Sequence, residues 1–191
     1  LGNLLSGVLF SHDSVEDHKI NAKFGILNRI SNTIGGSWTE ISGTSALSLD
    51  YTKNWQGITS SSDGTKLAAC MNDGNIWISS DSGATWTENT STGATKRWYG
   101  ITSSSDGTKL AAYVEGGNIW TSNDSGATWT EVTVGDGSNE WRGITSSADG
   151  TKLAAVVWDG NIWTSSKSGA TWVVGTSVGA TKKWTGSTSS A

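Results

Sequence analysis

Ser79-Ser80-Asp81-Ser82-Gly83-Ala84-Thr85-Trp86 comes back as Ser122-Asn123-Asp124-Ser125-Gly126-Ala127-Thr128-Trp129, and again as Ser165-Ser166-Lys167-Ser168-Gly169-Ala170-Thr171-Trp172, each copy 43 residues after the one before. The rest of the sequence keeps that period. Trp55, Trp98, Trp141 and Trp184 form one series, and Trp77, Trp120 and Trp163 another. With Trp38 taken as an early, displaced member of the Trp86 series, eleven of the 12 tryptophans fall on three positions of the repeat. A period of this length marks an architecture in which one supersecondary unit stacks on copies of itself.

Within one period the residues predict four short strands and three turns. Trp55 to Ser60 and Ile76 to Ser79 have the aromatic and β-branched content of strands, and Lys66 to Cys70 supplies a third whose small alanines permit close stacking. Thr85 to Glu88 is the expected fourth strand. Asp63-Gly64 and Asp73-Gly74 are hairpin signals, because glycine takes the positive φ that tight turns need. No 3.6-residue helical period interrupts the pattern. The expected fold class is all-β: a β-propeller of four-stranded antiparallel blades on a 43-residue repeat, present as an incomplete ring. The boundaries expected are a degenerate first blade over 1–54, blades over 55–97, 98–140 and 141–183, and the first strand of a further blade over 184–191.

Charge and composition narrow the function classes. A net charge of -4 and a pI near 5.1 leave no basic stripe for nucleic acid. No apolar run approaches the roughly 18–20 residues of a membrane-spanning helix, so direct membrane insertion is not expected. The start, Leu1-Gly2-Asn3-Leu4-Leu5, lacks a signal-peptide core and an initiator Met, as a mature or truncated start would. The single cysteine, Cys70, excludes an internal disulfide framework and a cysteine metal site. His12 and His18 have no third ligand near them, and no metal or cofactor is expected.

The motif Ser-x-Asp-x-Gly-x-Thr-Trp, at 79–86 and 122–129, resembles the Asp-box (BNR) repeat; the copy at 165–172 has Lys167 in the Asp position and the copy at 31–38 is degenerate. The resemblance covers roughly residues 31–191. It implies a hairpin between the third and fourth strands of a propeller blade, with Asp81, Gly83, Trp86, Asp124, Gly126, Trp129, Gly169 and Trp172 in structural roles. A short carboxylate there can accept bonds from the turn's own amides, and Lys167 cannot, so the third hairpin is expected to be the least rigid. Families with such repeats include sialidases, xyloglucan-cleaving glycosidases, sorting receptors and photosystem II assembly factors resembling Ycf48. The fold does not choose among them.

The sialidase pattern implies three arginines converging at the ring centre, but Arg97 precedes its strand Trp and Arg142 follows it. A glycosidase needs two facing carboxylates; Glu115 and Asp159 occupy comparable loops, where turn formation is the simpler reading. No catalytic residue is therefore assigned. Comparison among the copies gives a different lead. Turns and tryptophans are held, while the loop between strands two and three and the connector between blades vary. Trp158, the one tryptophan off the period, lies in that variable set. With Tyr113, Tyr99, Arg97, Glu140 and Arg142 it forms a candidate aromatic and charged rim. The function expected is a non-catalytic binding or structural module for a protein partner or glycan, part of a larger chain or assembly and extracellular, surface-borne or lumenal. The alternatives are a fragment of a carbohydrate-active hydrolase and an accessory subunit of a membrane complex.

Overall fold

The computed structural model describes residues 53–177, 179 and 182–186. Residues 1–52 of the expected degenerate blade, Trp38 among them, and residues 187–191 of the expected last strand lie outside the described residues. Every regular element among the described residues is a strand. The first unit comprises β1 (Trp55–Ser60), β2 (Leu67–Met71), β3 (Ile76–Ser79) and β4 (Thr87–Asn89). The second comprises β5 (Trp98–Ser103), β6 (Leu110–Val114), β7 (Ile119–Ser122) and β8 (Thr130–Val132). The third comprises β9 (Trp141–Ser146), β10 (Leu153–Val157), β11 (Ile162–Ser165) and β12 (Val173–Gly175). Each unit is a separate four-stranded antiparallel sheet in sequence order. The repeat thus folds as consecutive blades.

The first and third strands have the bounds the sequence predicts; the second and fourth do not. In the first blade β2 starts at Leu67 rather than Lys66, because the Lys66 amide donates to Ser61 Oγ at 3.0 Å and closes the preceding turn. β4 starts at Thr87 rather than Thr85, because the Thr85 amide donates to Asp81 Oδ1 at 2.8 Å. Trp86 therefore belongs to the hairpin and not to the strand. Its indole Nε1 donates to the Gly83 carbonyl at 3.1 Å, and only 5% of the residue is exposed.

The hairpin motif works as its chemistry suggests. Ser79 Oγ donates to Asp81 Oδ1 at 2.8 Å and accepts the Gly83 amide at 2.9 Å, while Thr85 Oγ1 donates to Asp81 Oδ2 at 2.6 Å. The Asp124 copy repeats these bonds with Ser122, Gly126 and Thr128. A second carboxylate turn repeats between the first two strands: Asp63 accepts from Ser61 Oγ and from the amide and hydroxyl of Thr65, and Asp106 and Asp149 do the same. Stabilising the charged form lowers a carboxyl's pKa. The Thr85 hydroxyl and amide and the Ser79 hydroxyl hold Asp81 at about 2. Ser61, then Thr65, hold Asp63 at about 2. In the third hairpin Lys167 forfeits the carboxylate bonds, yet the Gly169 amide still donates to Ser165 Oγ at 3.0 Å and Trp172 Nε1 to the Gly169 carbonyl at 2.9 Å. Its backbone keeps the same shape, with φ of 50° at Ser168 and 83° at Gly169. Trp172 is only half-buried, unlike Trp86 and Trp129.

Blades stack through complementary faces. One cluster joins Ala68, Cys70 and Ile76 of the first blade to Trp98, Leu110, Ala112, Trp120 and Trp129 of the second. The next joins Ala111, Tyr113 and Ile119 to Trp141, Ile144, Leu153 and Ala155. The tryptophan-bearing faces of the second and third blades thus lie on the opposite sheet face of the blade before each. Trp98 and Trp141 are fully buried. Backbone bonds also cross between blades at the end carrying the carboxylate turns, from the Ser62 amide to the Ser105 carbonyl and from the Ser105 amide to the Ala148 carbonyl, both 2.7 Å.

Candidate functional site

The site lies at the end of the blades opposite the hairpin motifs. There the turn between the second and third strands meets the connector leading into each blade. Gly74 bridges Lys96, Gly117 bridges Asn139 and Gly160 bridges Lys182, so the two variable loop types share one face, as the sequence comparison implies.

Three backbone devices repeat and fix where the variable side chains go. The Asn72 amide donates to the Asn54 carbonyl at 2.8 Å, Glu115 to Arg97 at 2.9 Å, and Trp158 to Glu140 at 2.7 Å. Immediately after the first tryptophan of each blade the register slips: Trp55 pairs with Met71 but Gly57 with Cys70, Trp98 with Val114 but Gly100 with Tyr113, and Trp141 with Val157 but Gly143 with Val156. The residues left over are Gln56, Tyr99 and Arg142. A bulge leaves its extra residue unpaired and re-aims the side chain. Finally Asp73, Gly116 and Asp159 take φ of 55°, 64° and 51°, closing each strand-two-to-three turn in the left-handed region. Asp159 is a turn-forming residue by its backbone.

On this common frame the blades carry different chemistry. The first presents the neutral amides Asn54, Gln56 and Asn72, with Gln56 Nε2 donating to Asn54 Oδ1 at 2.8 Å. The second and third carry charge. Arg97 Nη2 lies 2.7 Å from Glu115 Oε2, Arg142 Nη1 lies 3.9 Å from Glu115 Oε1, and Arg142 Nη2 lies 3.5 Å from Glu140 Oε2. The Arg142 guanidinium also stands 5.5 Å from the Trp158 ring centre, with Lys183 Nζ at 5.7 Å from the same ring. Trp158 is 37% exposed. Arg142 thus links two blades and an exposed indole.

Of the residues singled out in the sequence, Arg97, Glu140, Arg142 and Trp158 come together with these contacts. Tyr99 is half-buried against the core between the second and third blades. Tyr113 does not reach the rim. It is 5% exposed within that core, and burial pushes its phenol above the ordinary range. A Cβ on Gly100 would stand 2.5 Å from Tyr113 Cε1, which is why glycine follows the bulge there. Glu115, weighed in the sequence only as a glycosidase carboxylate, and Lys183, not singled out there, also stand among these contacts. Shifting each position by one period exposes them, because Asn72, Glu115 and Trp158 are equivalents, as are Arg97, Glu140 and Lys183. Among the described residues no group of three His, Cys, Asp or Glu is arranged to hold a metal. Cys70 is fully buried, and desolvation pushes its thiol up to about 12.

No protein-family description matches the chain, and no curated protein matches it. Solved structures do. YCF48 from Cyanidioschyzon merolae aligns with a TM-score of 0.54 and 17% identity over 64% of this chain and 37% of its own. YCF48 bound to D1 peptide aligns at 0.55 and 16% identity, over 64% of this chain and 40% of that one. The Niastella koreensis GH74 enzyme aligns at 0.50 and 23% identity, over 63% of this chain and 17% of that one. The chain has the propeller fold. It spans well under half the length of these relatives, and identities this low speak for the fold alone.

Proposed function

We propose that this chain is a protein-binding module and that its partner docks on the rim formed by Arg97, Glu115, Glu140, Arg142 and Trp158. One observation carries the reading. A repeated bulge and a repeated backbone bond hold equivalent positions in one geometry while their side chains change from neutral amides to ions and an exposed indole. A rigid scaffold with variable, outward-aimed side chains is how binding surfaces are built, and Trp and Arg are the side chains most often found at the energetic centre of an interface. A structural neighbour, YCF48 bound to D1 peptide, takes a peptide partner, as this reading expects. Membership of a larger assembly fits the same reading.

The test is site-specific photo-crosslinking in the source organism. A crosslinker at position 158 captures a defined protein; one at Ala84, exposed on a hairpin at the other end of the blades, does not. Trp158→Ala and Arg142→Ala weaken binding of the captured partner by about 30-fold or more. Equal capture from both positions, or unchanged affinity in both variants, overturns the proposal. Binding to immobilised glycans that Trp158→Ala abolishes would assign the rim to carbohydrate instead.

A further inference from the structure

Among the described residues two large apolar side chains stand exposed, Trp158 and Val173. The first belongs to the rim. The second, 67% exposed, lies on β12, the outermost strand of the third sheet. An outermost strand has a hydrogen-bonded neighbour on one side and can template another chain on the other.

The three outer strands are protected differently. β4 and β8 read Thr87-Glu88-Asn89 and Thr130-Glu131-Val132, each with an exposed glutamate at its centre. Asn75 Nδ2 holds Glu88 Oε1 at 3.0 Å, and Asn118 Nδ2 holds Glu131 Oε1 at 2.9 Å. Antiparallel self-pairing of either strand about its centre would set glutamate against glutamate, which is unfavourable. β12 reads Val173-Val174-Gly175, with Val174 where the glutamates stand and Val173 in place of an exposed threonine. The charge that bars self-pairing in two blades is missing from the third.

We infer that β12 is an association edge whose occupant is β12 of a second copy of this chain, paired antiparallel so that two four-stranded sheets join. Charge selects this arrangement. Lys167, in the hairpin leading into β12, would face its own copy in a parallel pairing, whereas an antiparallel pairing turns it toward the uncharged, exposed Thr176 and Ser177 beyond the far end of the partner strand. In this pairing Val174 stands opposite its own copy, and β-branched side chains opposed across antiparallel strands stabilise the pair. The contact is isologous and closes at two copies. A strand pair this short places the affinity at the weak end of specific association. It is independent of the rim, so Trp158→Ala leaves it unchanged.

Sedimentation of the 191-residue chain over rising concentration tests the inference. The expected result is a monomer–dimer equilibrium detectable below about 1 mM. Val174→Glu gives β12 the residue that β4 and β8 already carry, with Asn161 in place to hold it; this variant keeps the tryptophan fluorescence of the folded protein and weakens dimerisation about five- to tenfold, the combined effect of losing the opposed valine pair and gaining an opposed like-charge pair. Val174→Thr, uncharged and β-branched, retains the dimer. A wild-type chain that stays monomeric throughout, a folded Val174→Glu that dimerises as before, or a Val174→Thr that fails to dimerise overturns it.

Discussion

Two glycines in left-handed turns separate backbone strain from blade stacking. Gly64, with φ of 73°, turns the chain between β1 and β2, and a Cβ built there meets nothing within 4 Å. Gly126, with φ of 86°, sits in the second hairpin motif, and a Cβ there would stand 2.5 Å from Ile78 Cδ1, 3.1 Å from Ile78 Cγ1 and 3.1 Å from Leu110 Cδ1. Ile78 belongs to the preceding blade. Gly64→Ala therefore costs only the left-handed backbone of an L-residue, about 1–2 kcal/mol. Gly126→Ala adds the overpacking of a closed interface, about 1–3 kcal/mol, for a total of about 2–5 kcal/mol.

The decisive comparison is the double mutant. Ile78→Val deletes the Cδ1 atom nearest the intruding methyl and on its own costs about 0.5–1.5 kcal/mol. In the Gly126→Ala background it relieves the clash, so the two effects fall short of additivity by about 1 kcal/mol or more. Urea unfolding followed by tryptophan fluorescence gives all four values. Gly169→Ala serves as the matching test one interface along, where the methyl would stand 2.5 Å from Thr121 Cγ2. Equal costs for Gly64→Ala and Gly126→Ala, with strict additivity in the double mutant, would refute the packing of hairpin glycines on the preceding blade.

Three further outcomes are expected. Asp63 and Asp81, each lowered to about 2, and Asp106, Asp124 and Asp149, lowered likewise by their Ser and Thr partners, contribute stability that is complete above the unfolded carboxylate value of about 3.9 and is lost as pH falls toward 2; the urea midpoint drops steeply between pH 4 and 2, the more so for these five than in an Asp81→Asn, Asp124→Asn variant, and a flat profile would contradict it. Lys167→Asp restores an acceptor for the Thr171 amide and hydroxyl and raises the thermal midpoint, whereas an unchanged or lower midpoint would mean that the third hairpin owes nothing to its missing carboxylate. Cys70, fully buried with its thiol held up to about 12, reacts with an aromatic disulfide reagent only through unfolding, so its labelling rate rises with urea in parallel with the unfolded fraction; rapid labelling in buffer would show the first interface to be open.

The fold was legible because buried tryptophans and turn residues repeat at one spacing, and stacking requires both to be in register. The two strand starts that differ from the sequence expectation, Leu67 instead of Lys66 and Thr87 instead of Thr85, share one physical cause. In each, a side-chain oxygen four or five residues upstream captures the amide before the ladder can. Strand propensity reads Lys66-Leu67 and Thr85-Trp86 as strand; it does not register the competing local bond. The motif that identified the hairpins thus also displaced the strand from Trp86.

The candidate site was legible in a more limited way, and the reason lies in the bulge. Variation among copies pointed to Trp158, Arg97, Glu140 and Arg142, since those positions differ while their neighbours repeat. Tyr113 varies too, but alternation along β6 carries it to the face between the second and third blades, where it takes the place that Cys70 takes between the first and second. Variation alone cannot separate a core position from a rim position one residue away. What separates them is the register slip after each first tryptophan, which aims Gln56, Tyr99 and Arg142 off the ladder, and the backbone bond that sets Asn72, Glu115 and Trp158 beside them. Arg142 sits where both devices meet and where two carboxylates and an indole compete for one guanidinium at 3.5, 3.9 and 5.5 Å. None of those contacts is at its closest approach. Its one ordinary hydrogen bond is from Nη1 to the Trp141 carbonyl at 3.2 Å, so an incoming group can take over the guanidinium without first breaking a tight ion pair. On the proposed reading, Arg142→Ala therefore weakens partner binding more than Arg97→Ala, since the Arg97 side chain is held in a 2.7 Å pair.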